Sequence, residues 1–431
     1  MNKILLKDVN ETIYHEKLDN GLNVFMYPSD KVEKFEIDIV TKYGGRINRF
    51  KKKNEKEYYQ TPNGVAHFLE HITFHLPNGV KAEELFNKIS AYTNAYTNHD
   101  HTVYYVTSAE NFKECLETLL YTVYTPCYTE EVVEHERDII KAEEKRYEND
   151  PDRRFYEAFT NALFHKCNQK YKVVGTLDDI SAISLEDINK VYSTFYHPAN
   201  MSLYIAGNFD KDEAIDIIKK KMDTFKFDEF VGIDIDVPEE PYEVKETYKD
   251  IKDNVMTNKV AYNIKYSMDA VKKTGLSLIE YDLYLELLLT LNFGATSEFY
   301  EKLLDDKVST SGVGRNNYKV DNNYIVSIHG QPTDGRIDDF IKMVDDQFKN
   351  LSFNEKDVIR KRKTFMSSYI TSFDKPIGVL NEMMENYLYY DKIVDNWIEL
   401  SKKFTPEIAK KIIDSIDINN KSIVIMEPDN K

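Results

Sequence analysis

Residues 64 to 75 read GVAHFLEHITFH, and the rest of the chain is best understood outward from this stretch. His67, Glu70 and His71 form an H-x-x-E-H pattern within it. Residues four apart in a helix project from one face, one turn above the other, so both imidazoles can reach a single metal ion. Glu70 stands on the same side, placed to act on a metal-bound water. At about 100° per residue, Val65, Phe68, Leu69 and Ile72 share one stripe, and His67, Glu70 and His71 fall opposite it. The helix therefore has a packing face and a separate chemical face. With 10 His in 431 residues, about 0.02 such patterns are expected by chance. The bland alternative is a solvated polar face.

Two imidazoles leave a catalytic metal short of a third protein ligand. The helix expected over Thr129 to Asn149 is the candidate source. On its wheel Val132, Glu136, Ile139, Ile140, Glu143 and Tyr147 share a stripe, with Glu130, Glu131, Glu134, Lys141, Glu144 and Lys145 on the solvated side. Glu136 and Glu143 thus lie two turns apart among apolar residues. Carboxylates in such a place are costly unless paired or metal-bound. Pairing with a lysine or arginine is the competing explanation.

The 431 residues carry 57 Lys and Arg against 74 Asp and Glu, a formal net charge of −17. Such a surface repels phosphate backbones and anionic lipids, which argues against nucleic acid and membrane as partners. Hydrophobic residues make up 42% of the chain and charged residues 30%, the composition of a globular protein. Three cysteines, Cys115, Cys127 and Cys167, cannot build a disulfide framework and point to a reducing, cytoplasmic setting. The opening MNKILLKDVN has too short an apolar run for a signal peptide.

Periodicity predicts an α+β chain of two similar domains, each a mostly antiparallel sheet with helices packed on one face. Strands are expected at 22–27, 35–40, 102–108, 201–206, 260–266, 324–329 and 422–426. Helices are expected at 64–76, 81–91, 111–124, 129–149, 152–165, 184–195, 275–293, 336–349 and 355–372. The acidic, proline-bearing segment 227–248 reads as a linker, a solvated hinge between an N-terminal metal-binding domain (1–226) and a C-terminal domain (249–431).

The chain resembles the pitrilysin–insulysin family of inverted-motif zinc peptidases, which includes the mitochondrial processing peptidases. The family pairs H-x-x-E-H with two glutamates seven apart some seventy residues later, and here Glu143 follows His71 by 143 − 71 = 72 and Glu136 by 143 − 136 = 7. Leu18-Asp19-Asn20-Gly21-Leu22, Ser90 to Thr97, Thr102-Val103-Tyr104, Glu136-Arg137, Gly175-Thr176-Leu177 and Tyr196 to Met201 followed by Ala206-Gly207-Asn208 match further family segments. The likeness is strong over residues 15 to 220, weaker beyond, and greatest to single-module bacterial members of the YmfH type. It implies one zinc ion per chain bound by His67, His71 and Glu143, with Glu70 as general base and Glu136 as a supporting carboxylate. It also implies a zinc endopeptidase that cuts short unfolded peptides in a clamshell chamber, taking them up by strand addition at Asn94, Ala95, Tyr96 and Thr97. Maturation of a secreted peptide is one role open to such an enzyme.

Active relatives carry an Arg and, seven residues on, a Tyr in the C-terminal half to hold substrate. Leu304 and Ser311 stand at those positions here. Arg315, Tyr318 and Tyr324 are nearby but wrongly spaced. The resemblance then implies a division of labour, in which a paralogous subunit (or a second copy of the chain) supplies the Arg/Tyr clamp. The alternative is a peptide-binding or chaperone-like subunit with little activity of its own. His75, His99 and His101 raise the question of a second metal site. Solvated or hydrogen-bonded histidines explain them more simply, with His99 and His101 alternatively lining a substrate groove. His135 points off the stripe and is expected to be exposed.

Overall fold

The computed structural model describes residues 1–429. They form two compact units, and neither is a continuous piece of sequence. The first contains 1–146, 171–236 and 369–396; the second contains 147–170, 237–368 and the described residues from 397 onward. The domain boundaries expected from sequence therefore do not follow the packing, and the chain passes between units five times, after 146, 170, 236, 368 and 396.

The first unit is built on strands β1 (Asn2–Leu6), β2 (Glu11–Lys17), β3 (Asn23–Pro28), β4 (Phe35–Thr41), β5 (Arg49–Lys52), β6 (Tyr59–Gln60), β7 (Tyr92–Thr97), β8 (Thr102–Ser108), β9 (Met201–Gly207) and β10 (Ile233–Ile235). Seven of them make one sheet in the order β1-β2-β3-β9-β4-β8-β7, and β10-β5-β6 make a small second one. Every pair in the large sheet is antiparallel except β3 with β9. Strand alternation sends Val24 and Met26 of β3, and Leu203 and Ile205 of β9, to one face, where they join Val65, Phe68, Leu69 and Ile72. Phe25, Tyr27, Tyr204 and Ala206 go to the other face. There they meet Val379, Leu380, Met383 and Met384 of the Pro376–Tyr390 helix. A run apolar at nearly every position, as in β9, is the mark of a strand covered on both faces.

The second unit repeats the plan with β11 (Tyr248–Asp253), β12 (Lys259–Ser267), β13 (Gly314–Val320), β14 (Asn323–Gly330) and β15 (Lys421–Pro428). Their order is β11-β15-β12-β14-β13, antiparallel except for β11 with β15. One face packs Val260, Tyr262, Ile264 and Val326 against Leu285, Leu288 and Leu289 of the Leu278–Phe293 helix. The other face packs Ala261, Ile325, Val424 and Met426 against Phe155, Phe159 and Leu163. These last come from the Pro151–Leu163 helix. The α+β class and the paired sheet-and-helix units are as expected. The addition is one helix on the second face of each sheet, drawn in each case from the opposite half of the sequence.

The segment 227–248 is no free hinge. Ile233 to Ile235 pair with β5, and Val244 is buried in the second unit's core. Glu240 is fully enclosed and forms a 2.7 Å ion pair with Lys265, whose side chain is also fully enclosed. Its carboxylate also accepts the backbone N–H groups of His165, Lys166 and Cys167 at 2.8, 2.6 and 2.7 Å. Removing one partner of a buried ion pair leaves an uncompensated charge. Glu240→Ala is therefore expected to lower the unfolding free energy by about 3–5 kcal/mol. The exposed Glu239→Ala should change it by less than about 0.5 kcal/mol. Urea unfolding of both variants checks this, and equal small effects would restore the solvated hinge.

Candidate metal centre

Gly64 sets the start of the motif helix. Its φ is +92°, and a Cβ there would sit 2.3 Å from the Val174 carbonyl oxygen, so only glycine lets the two segments touch. The Val65–Ile72 helix buries Val65, Ala66, Phe68, Leu69 and Ile72. His67, Glu70 and His71 are left on the opposite, half-buried face. Behind the helix, the buried Tyr104 hydroxyl approaches Thr73 Oγ1 at 3.2 Å and Tyr196 Oη at 2.8 Å.

The second helix is Glu130–Tyr147, whose buried residues are Val133, Glu136, Arg137, Ile140 and Glu144. The stripe is thus rotated from the one expected. Ile139 and Tyr147 are exposed, while Glu144 is buried and paired with Lys172 at 2.8 Å. Arg137 lies on the buried side, where its guanidinium donates to the carbonyls of Ile180 and Ile183 at 2.5 and 2.8 Å. Glu136 and Glu143 lie on the rim of the stripe, turned toward the motif helix.

The two helices bring His67, His71 and Glu143 together, with one potential ligand atom from each lying within 4.8 Å of the others. His71 Nε2 is 3.4 Å and His67 Nε2 4.0 Å from Glu143 Oε2. Tetrahedral zinc with bonds of about 2.0–2.1 Å has ligand atoms about 3.4 Å apart. One edge of the triangle already has that length, and the donor set of two imidazoles and a carboxylate suits zinc. The residues present fit the ion.

Glu136 does not join the triangle. Its Oε2 lies 3.5 Å from His71 Nδ1, and its Oε1 lies 2.8 Å from His75 Nε2. A carboxylate on Nδ1 fixes the imidazole's tautomer and leaves Nε2 for a metal. Burial opposes the charge on Glu136, but the His71 and His75 hydrogen bonds outweigh it and hold the carboxyl well below the usual range. For His71, burial likewise opposes the charge, and Glu136 and Glu143 overcome it, raising the imidazole to about 9. The hydrogen bond from His71 is the main cause of Glu143's lowered pKa. Glu70 behaves in the opposite way. Burial raises its pKa, against a hydrogen bond from Thr97 Oγ1 to its Oε2 at 2.6 Å.

Among the described residues, His75, His99 and His101 do not converge into a second candidate metal site. His75 is engaged by Glu136, and His101 is buried with its ring 3.0 Å from the Asn98 amide. Burial lowers both His99 and His101 to about 4, so neither carries charge near neutrality. His135 is exposed, as expected. Asn94, Ala95, Tyr96 and Thr97 lie on β7, the sheet's edge strand. Sequence reasoning missed two supports, the Thr97–Glu70 bond and the His75–Glu136 bond. His75 carried a signal, since it falls eight residues after His67 on the same helical face. The helix ends at Ile72, however, and the chain reaches Glu136 through the following turn.

In the metal-free chain His71 holds a proton that zinc must displace. Zinc uptake at pH 7.5 is therefore expected to release about one proton. Affinity should rise with pH until about 9, the value for His71. Calorimetric titration in two buffers of different ionisation enthalpy checks the proton count. Glu136→Gln should weaken zinc binding about 10–100-fold, because the orienting carboxylate is lost.

Comparison with known proteins places this geometry. Residues 54–177 match the family model described as insulinase, peptidase family M16, and residues 182–365 match the peptidase M16 inactive domain. The zinc protease YmfH of Bacillus subtilis is 33% identical over 299 residues, which are 69% of this chain and 69% of its own length. The zinc protease PqqE of Helicobacter pylori is 30% identical over 217 residues, 48% of this chain and 46% of its own. The crystal structure of an M16-like peptidase from Alicyclobacillus acidocaldarius superposes with a TM-score of 0.89 at 26% identity, covering 96% of this chain and 98% of that one. The periplasmic protease PqqL of Escherichia coli shares the fold at 18% identity and a TM-score of 0.72, with 97% of this chain spanning 48% of that one. With its inverted histidine–glutamate motif and both family models in sequence order, the chain belongs to peptidase family M16.

Proposed function

We propose that the chain is a zinc-dependent endopeptidase for short, extended peptides. The observation that carries this reading is the separation of roles among four carboxylate and imidazole groups on one surface. His67, His71 and Glu143 converge on a point, while Glu70 is held apart by Thr97. A zinc ion held by those three residues supplies Lewis acidity and lowers the pKa of water. Glu70 is the proton carrier. Its raised pKa makes it a better acceptor than an ordinary carboxylate near neutral pH. Thr97 occupies Oε2, which leaves Oε1 to take the proton of the attacking water and return it to the leaving amine. Glu136 holds His71 in the tautomer that presents Nε2 outward.

Peptide recognition is assigned to β7. Among the described residues this strand pairs with β8 alone, so its other edge has no strand on it and could accept one. Backbone pairing there favours extended, unfolded substrates with little regard for sequence. Thr97 belongs to this strand and bonds Glu70, which ties the peptide-holding edge to the base.

The reading extends to a second subunit. Leu304 and Ser311 occupy the positions of the expected Arg and Tyr. Two of the three nearby alternatives are engaged elsewhere: Tyr324 is buried and donates to Asp282 at 2.6 Å, and Arg315 pairs with Glu286 at 3.2 Å. A paralogous chain with the clamp, or a second copy of this one, would complete the enzyme, in the cytoplasm where Cys115, Cys127 and Cys167 stay reduced. Maturation of a secreted peptide is the role we assign to the pair. The same substitutions favour the second reading, a peptide-binding subunit of low activity.

The test is a mass-spectrometric digest of unstructured peptides by the zinc-loaded chain and by Glu70→Gln. Slow cleavage by the wild-type chain, at least about 10²-fold faster than by Glu70→Gln at equal zinc content, is expected. Thr97→Val should lower kcat more than it raises KM. Fast cleavage by the isolated chain would remove the need for a partner. Equal rates for wild type and Glu70→Gln would overturn the peptidase reading.

A further inference from the structure

In the second unit, a cavity of about 560 Å³ opens beside the start of the Glu298–Asp305 helix. Lys361 lines it and is only 9% exposed. Its ammonium donates to the Thr296 hydroxyl at 2.7 Å, a neutral acceptor. Among the described residues no carboxylate lies within ion-pair distance of it. The neighbouring Arg360 guanidinium reaches the same hydroxyl at 3.3 Å. Arg360 is balanced by Asp357 at 2.9 Å and Arg315 by Glu286 at 3.2 Å, which leaves the Lys361 charge uncompensated. Burial disfavours that charge, and Arg360 and Arg315 add to the effect more than Asp357 relieves it, so the pKa is lowered.

A buried cation without a counter-charge is costly, and a polar cavity on its open side is where an anion would be taken up. The cavity wall also contains the Thr296 and Ser297 hydroxyls and Lys302. Glu298, Asp346 and Asp357 stand there too, which favours a ligand that puts its negative charge at Lys361 and not along the whole wall. The volume lies in the range of pockets that hold small organic ligands and exceeds the needs of a lone phosphate. We propose that this cavity binds a phosphate-bearing small molecule, its phosphoryl oxygens on Lys361 and Arg360 and its neutral part toward Asn292 and Gln347. Nothing in the proposed peptidase mechanism uses these residues.

The test is calorimetry of the full-length, metal-free chain with sodium pyrophosphate and, separately, with ATP, in 150 mM salt (about physiological). Removing the metal keeps the phosphates from reading out zinc. Saturable binding below about 1 mM is expected. Lys361→Met should weaken it at least about tenfold while the chain still unfolds cooperatively, and Thr296→Val should weaken it less. Tighter binding of ATP than of pyrophosphate is expected, and equal affinity for both would show that no organic part is held and would overturn the proposal. Absence of saturation at about 10 mM, or unchanged affinity in Lys361→Met, would overturn the proposal.

Discussion

The site depends on Glu136, a carboxylate enclosed between the imidazoles of His71 and His75. Left alone at that depth it would take up a proton or drive the helices apart. Flanked by two imidazoles it stays charged, and its charge orients His71. The consequence is geometric. One short chain of contacts, His75 to Glu136 to His71 to Glu143, joins two helices and fixes where Glu143 stands against the two motif histidines. Glu70, two residues before the end of the first helix, falls outside this chain and takes its support from β7 instead.

The spacing along the second helix serves the same end. Glu136 and Glu143 are seven residues apart, two turns, so both reach toward the motif helix, Glu136 to His71 Nδ1 and Glu143 to His71 Nε2. Arg137 ties the helix's buried side to the carbonyls of Ile180 and Ile183. Gly64 and Gly175 allow the backbone at 63–64 and 174–175 to meet, since a Cβ at either would lie within 3 Å of the opposing carbonyl oxygen. The candidate metal site is therefore held by packing from residues well outside the motif.

Much of this was legible in sequence, and for identifiable reasons. The elements at 102–108 and 355–372 match the expected spans, the first as a β-branched and aromatic run and the second as a stretch bounded by Asn354 and by Asp374-Lys375-Pro376. The motif helix showed its two faces because apolar and chemical residues separate cleanly. The rotation of the Glu130–Tyr147 helix was not legible. Glu144 looks like a surface residue until Lys172 is known to meet it. The exchange of helices between units was equally hidden. The Pro376–Tyr390 and Pro151–Leu163 helices find their partners in distant parts of the sequence, and local pattern says nothing about which sheet receives them. The acidic segment 227–248 misled because composition counts charges without showing that Glu240 is neutralised by Lys265.

In the proposed enzyme His67, His71 and Glu143 hold one zinc ion while Glu70 stays off it. Zinc-edge X-ray absorption on the zinc-loaded chain, with and without Glu70→Gln, tests it most directly. The account predicts two imidazole nitrogens and oxygen donors at about 2.0–2.2 Å. The spectrum should be unchanged in Glu70→Gln and lose a donor in Glu143→Gln. A sulfur donor, or a first shell altered by Glu70→Gln, would contradict it.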